Sequence, residues 1–205
     1  MPIESRERTP QGERTRAMRT RLLDATIDCL VERGWSGTTT TVVSERAGVS
    51  RGAQLHHFPT KRDLVVAAVD YIAAKRRAEL ESAAEHLPHS RRTRAVLEIL
   101  SEQFTSPVFL AALELWVAAR TDEALRDAVE PLEQRIGRET HRQAVALLGI
   151  DESDAGAREL VQATLDLLRG LGLADTLADD SRRRKRILDA WANTLDATIG
   201  ARSDD

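Results

Sequence analysis

Apolar residues recur at intervals of three and four along almost the whole of this chain, and the strict alternation that marks a half-buried strand is missing. That period matches the turn of an α-helix. Each segment therefore collects its apolar side chains on one face, which must be covered by another helix. Ala, Leu, Arg and Glu dominate, and all four are good helix formers. The expected fold class is all-α.

Breakers and caps divide the chain into helices. Leu23, Ile27 and Leu30 line one face of a first helix over about residues 14–33, with Leu22 and Thr26 beside them, until Gly34 supplies a left-handed stop. Thr38 or Thr39 can accept from free amides at the head of a short second helix that ends near Ala47. In Gly48-Val49-Ser50 the glycine can take a positive φ, the valine can pack inward and the serine can cap a third helix over about 51–57. Pro59 ends that helix.

Thr60 and Asp63 have capping-box spacing at the head of a fourth helix running to about Glu85, its buried side formed by Leu64, Ala67, Ala68, Ile72 and Leu80. Further helices are expected at about 91–104, 107–120, 122–148, 155–178 and 181–200, with Ser106-Pro107 the clearest start.

Composition narrows the function classes. With 41% hydrophobic and 31% charged residues the chain reads as a soluble globular protein, and no apolar run is long enough to span a membrane. The polar first residues lack the apolar stretch of a secretory signal, so residues 1–13 read as a flexible arm on a cytoplasmic protein. A single cysteine, Cys29, allows neither an internal disulfide nor a CxxC site. No Gly-rich phosphate loop, metal-ligand spacing or nucleophile motif occurs, which argues against an enzyme and for no cofactor and no metal.

Charge is unevenly placed. Residues 1–62 hold 11 Lys/Arg against 7 Asp/Glu, whereas the remainder holds 19 against 26. The basic end is the candidate DNA-facing end. There, residues 38–61 have the geometry of a helix-turn-helix: two helices joined by about three residues, the second short enough to lie in a major groove.

The strings Gly34-Trp35-Ser36-Gly37-Thr38-Thr39, Ala47-Gly48-Val49-Ser50-Arg51-Gly52 and His57-Phe58-Pro59-Thr60-Lys61, followed by Leu64, closely resemble the signature of TetR-type bacterial transcription regulators. The match covers about residues 14–64. The resemblance implies a DNA-binding domain over 14–60 and a helical effector-binding and dimerisation domain over 61–205. It also implies a homodimer whose two third helices enter successive major grooves of a pseudo-palindromic operator. The function expected is a ligand-responsive repressor, with an activator of the same fold, or a ligand-binding protein with degenerate DNA recognition, as alternatives.

Carried over by position, Thr39, Thr40 and Thr41 match phosphate-contacting or capping positions, and Ser50 heads the reading helix. Arg51 matches a base-reading position, where its planar fork fits the O6 and N7 of guanine. Gly52 and Ala53 are small enough for close approach, and the Ala53 methyl can meet a thymine methyl. Gln54 either reads adenine or sits at the domain surface; the family usually has an apolar, inward-packing residue there.

Leu55 stands where the family usually has a tyrosine that reaches the DNA backbone, a bond leucine cannot make. His56 and His57 are candidates to fill that gap. They do not suit a metal, since neighbours on a helix point about 100° apart. Lys61 matches a phosphate-binding lysine, and Arg6, Arg8, Arg14, Arg16 and Arg19 are candidates to add nonspecific attraction or to reach a minor groove.

In the second domain, the resemblance places a small-molecule effector of unspecified class among the fifth to seventh helices, lined by Phe104, Phe109, Trp116 and Arg120 with His141 and Gln143 behind. The last two helices carry Leu160, Thr164, Leu168 and Leu171, then Ile187, Leu188, Trp191 and Leu195. Their apolar faces suit a four-helix bundle between two copies. The basic run Arg182 to Arg186 reads as solvated or acid-paired. The partners expected are therefore an operator duplex, a second copy and a small effector, with no membrane.

Overall fold

The computed structural model describes residues 11–203, and all regular structure among them is helical. The helices are α1 (Gln11–Gly37), α2 (Thr40–Ala47), α3 (Arg51–His57), α4 (Lys61–Ala84), α5 (Arg92–Phe104), α6 (Pro107–Ala119), α7 (Glu123–Leu148), α8 (Ala157–Ala174) and α9 (Ser181–Ser203). No single helix among the described residues is long and apolar enough to cross a membrane. The chain forms two compact units, the first ending at Ile72 and the second beginning at Ala73, so α4 passes from one into the other.

α1 begins at Gln11, so the last three residues of the expected arm are helix. The rest of that arm, with Arg6 and Arg8, lies outside the described residues. At Gly34 the backbone takes φ 64°, a conformation that side chains rarely tolerate, and the helix breaks there before a last turn to Gly37.

Leu22, Leu23, Ile27 and Leu30 of α1 are buried, and so are Val43 of α2, Phe58 beyond α3, and Leu64, Val65, Ala68 and Val69 of α4; together they are the apolar set of this unit. A fully buried leucine contributes roughly 1.5–3 kcal/mol. An exposed ion pair gives about 0–1 kcal/mol. The helical hairpin is therefore held by this apolar set, and Arg46, which pairs with Glu32 and Asp28 of α1 at 2.5 and 3.3 Å, mainly fixes how α2 is oriented on α1.

In the second unit α5 packs against α8 and α9 on one side and against α6 and α7 on others. Val96, Leu97, Leu100 and Phe104 of α5 share one core with Phe109, Ala144, Leu147, Val161, Leu165 and Leu168. An ion pair and a hydrogen bond rim the α5–α9 contact, with Arg94 Nε donating to Asp189 at 2.6 Å and the Thr93 hydroxyl donating to Asp196. α8 comes so close to α5 that a Cβ on Gly172 would lie 2.1 Å from the carbonyl oxygen of Phe104.

This packing corrects the residues expected at a dimer contact. Thr164, Leu168, Leu171, Leu188 and Leu195 are buried inside the unit, because α8 and α9 turn their main apolar stripes onto α5 of the same chain. Thr164 accepts from Trp191 Nε1 at 3.1 Å, which ties the two helices together. Leu160, Ile187 and Trp191 remain half-buried at the rim of this core. α8 also stops earlier than expected, at Ala174, where the Asp175 amide bonds back to Leu171 and Gly172. Within the basic run, Arg183 pairs with Asp180 and Arg184 with Asp175, so these two are acid-paired.

Candidate functional site

Three caps build α2 and α3. Thr39 takes an extended conformation and its hydroxyl accepts from the Val42 amide at 3.2 Å, starting α2. Gly48 ends α2 at φ 62°, and the Gly48 and Val49 amides return to the Glu45 and Ser44 carbonyls. The Ser50 hydroxyl then accepts from the Ala53 amide at 3.3 Å, starting α3 two residues after the glycine. At the far end Thr60 and Asp63 close a reciprocal capping box, with amide-to-side-chain distances of 3.2 and 3.1 Å.

α3 has two unlike faces. Arg51, Gly52, Leu55 and His56 are exposed, Ala53 and His57 are half-buried, and Gln54 is buried. Gln54 is therefore not a base reader. Its side chain is fully enclosed, and Nε2 donates to the Phe58 carbonyl at 2.6 Å, stapling the helix end to its own last turn. Phe58 is buried behind it, with the Arg19 guanidinium over its ring. On the open side an added Cβ at Gly52 would meet nothing within 4 Å.

Around α3, Thr41 is exposed and Thr40 half-exposed on the first turn of α2. The Thr39 and Ser50 hydroxyls, expected at DNA, serve as helix caps, which leaves each with its hydroxyl proton to donate.

Lys61 points back into its own unit. Its ammonium donates to the Trp35 carbonyl and lies 3.7 Å from the centre of the Trp35 ring, and burial pulls its pKa below the usual lysine value. The lysine thus ties the head of α4 to the end of α1 in the DNA-free chain. A pairing across 26 residues leaves no local trace in the sequence.

Arg46 escaped the sequence reading for the same reason. Its guanidinium grips both oxygens of Glu32 at 2.5 and 2.6 Å, which holds the Glu32 carboxyl below its usual pKa. One of the basic charges of this end is thereby neutralised internally.

In the second unit Phe104, Phe109 and Trp116 form an edge-to-face ladder, with ring centres 5.7 and 6.0 Å apart. Phe104 and Phe109 are core residues, and Trp116 is half-buried. The other expected lining residues have different surroundings. His141 is buried and bonds to Glu152 at 2.8 Å, and Arg120 is exposed at the end of α6. Gln143 is half-buried, and its Nε2 has no hydrogen-bond partner among the described residues.

The ladder leads instead to Glu133, which accepts from Trp116 Nε1 at 3.2 Å. Glu133 sits on the inner stripe of α7, four residues after Val129 and three before Ile136, so an acid in an apolar repeat was the available signal. Burial pushes its pKa up from 4.5, opposed by nearby Arg169 and by the Trp116 hydrogen bond. The folded state therefore favours the protonated acid. Its contribution to stability is full below the unfolded pKa and is lost as pH rises through the raised one.

Glu133→Gln should consequently raise the melting temperature at neutral pH and flatten its pH dependence above about 4.5. Thermal unfolding across a pH series checks this. An unchanged pH profile would show that burial of this carboxyl is not felt.

Known proteins share both units. The family model for "Bacterial regulatory proteins, tetR family" matches residues 22–68, which span most of α1, all of α2 and α3 and the head of α4. The HTH-type transcriptional regulator CymR of Pseudomonas putida is 30% identical over 190 residues, covering 89% of this chain and 91% of its own. A crystal structure of a transcriptional regulator from Pseudomonas aeruginosa PAO1 superposes with a TM-score of 0.62 at 25% identity, covering 98% of this chain and 99% of that one. The multidrug-binding protein EbrR, solved with imidazole, gives 0.56 at 26% identity over 84% of this chain and 93% of its own. CymR and the Pseudomonas aeruginosa protein are named as transcriptional regulators, not as enzymes. The match runs through the capped helix-turn-helix and on through the helical second unit: the chain belongs to the TetR family of bacterial transcriptional regulators and is a DNA-binding regulator.

Proposed function

We propose that this regulator is a cytoplasmic repressor that covers a pseudo-palindromic operator as a homodimer and leaves it when a small molecule binds the helical unit. The observation that carries the reading is the exposed face of α3, which presents Arg51 beside the open flank of Gly52 while Gln54 and Phe58 anchor the opposite side. Residues 14–60 serve as the DNA-binding domain and 61–205 as the effector and dimerisation domain. Arg51 reads guanine through its paired donors, and Thr40 and Thr41 donate to phosphate oxygens.

For the dimer, support comes from an open groove of about 570 Å³ on the outer side of α8 and α9, lined by Leu167, Ile187, Ala190, Trp191 and Thr194 with Arg183 and Arg186. Two such faces related by a twofold axis make a four-helix bundle. For the effector, support comes from the aromatic ladder ending on Glu133, and from EbrR, which has been crystallised with malachite green and with imidazole. The effector acts by binding the DNA-free conformation more tightly than the DNA-bound one, with a coupling of about 1–3 kcal/mol.

Footprinting upstream of its own gene and its neighbours tests the proposal, together with transcription in a strain lacking the gene. A protected inverted repeat and raised transcription in that strain are expected. No protected site contradicts DNA control, and lowered transcription makes the protein an activator.

A further inference from the structure

We infer that Leu55 reads the C5 methyl group of a thymine in the major groove, an inference that rests on the DNA-binding reading of α3. At 100° per residue, Arg51, Leu55, Gly52 and His56 occupy an arc of about 140° on α3. These are the four exposed residues of the helix, while Gln54 lies buried on the opposite side. Leu55 falls near the middle of the arc. Its neighbour there, Gly52, has no side chain, and nothing lies within 4 Å of where one would begin.

A leucine 42% exposed in this setting is the one large apolar group on the reading face. It can neither donate to a phosphate nor bond to a base edge. On the major-groove edges of the four base pairs, the apolar feature is the thymine methyl. Arg51 and Leu55 are four residues apart, about 6 Å along the helix axis. That is on the order of two base-pair steps. The thymine therefore lies one or two pairs from the guanine that Arg51 reads, and the half-site carries a G and a T at fixed spacing.

The test uses the full-length protein and the duplex it selects from a random library. Each fixed thymine is replaced in turn by deoxyuridine, which lacks only the methyl, and affinities are measured for the unaltered protein, Leu55→Ala and Leu55→Met. One thymine per half-site should prove sensitive. Its replacement should weaken the unaltered protein and Leu55→Met about three- to fivefold per half-site, the loss of one buried methyl, and should leave Leu55→Ala unchanged. Both substitutions sit on an exposed face, so unchanged melting curves are expected alongside.

If deoxyuridine has no effect at any position, or weakens Leu55→Ala as much as the unaltered protein, the inference is overturned while DNA recognition stands. If the library yields no preferred duplex, DNA recognition itself fails and the inference with it.

Discussion

Gly172→Ala is expected to lower the stability of the second unit by about 3 kcal/mol or more, a large part of the roughly 5–15 kcal/mol that holds a domain folded. The new Cβ would lie 2.1 Å from the Phe104 carbonyl oxygen and 2.8 Å from both its carbonyl carbon and its Cβ. Two of those atoms are backbone at the end of α5, so no side-chain rotation relieves the clash. α8 would have to move off α5, opening the core around Leu168 and Leu171.

Gly170, two residues earlier in the same helix, makes the comparison sharp. A Cβ there meets nothing within 4 Å, and the position is exposed. Gly170→Ala should therefore stabilise by about 0.5–1 kcal/mol through helix propensity alone. Chemical denaturation of the two variants should give shifts of opposite sign. Equal shifts would mean that α8 does not approach α5 as closely as described.

Arg51→Ala is expected to weaken binding to the preferred operator by about 5- to 150-fold per half-site, the 1–3 kcal/mol of a bidentate arginine–guanine contact. Binding to unrelated duplex should change far less, because phosphate attraction comes from many charges and Arg51 supplies only one. Stability should be unaffected, since the side chain is exposed. Affinities for preferred and scrambled duplexes, measured at fixed salt, separate these effects. A uniform loss on both would make Arg51 a backbone contact.

The local features of this fold were legible in the sequence. The Thr39 and Ser50 caps, the positive φ of Gly48, the Thr60–Asp63 box and the Ser106 start each depend on residues within four positions of one another, and each is formed. Features that depend on a distant partner were not legible. Gln54 reads in the sequence as facing either adenine or the domain surface; its bond to Phe58 is local, and what the sequence does not show is its full burial. Lys61 reads in the sequence as a phosphate-binding lysine, and its partner Trp35 stands at the far end of another helix.

The apolar faces of α8 and α9 show the same limit. Period alone reports that a stripe must be covered, and cannot distinguish a helix of the same chain from one of a second copy. Here α5 covers Leu168, Leu188 and Leu195. The close approach at Gly172 likewise needs the position of Phe104, 68 residues away in the chain, before the glycine has a reason.

On the proposed function, the exposed face of α3 reads base sequence. Selection of duplexes by the purified full-length protein from a random library tests it most directly. The expected result is enrichment of an inverted repeat whose half-sites lie about one helical turn, or a multiple of one, apart. Each half-site should contain a guanine whose identity ceases to matter for Arg51→Ala. A library that emerges unenriched, or an enriched sequence indifferent to Arg51 and Leu55 alike, would contradict it.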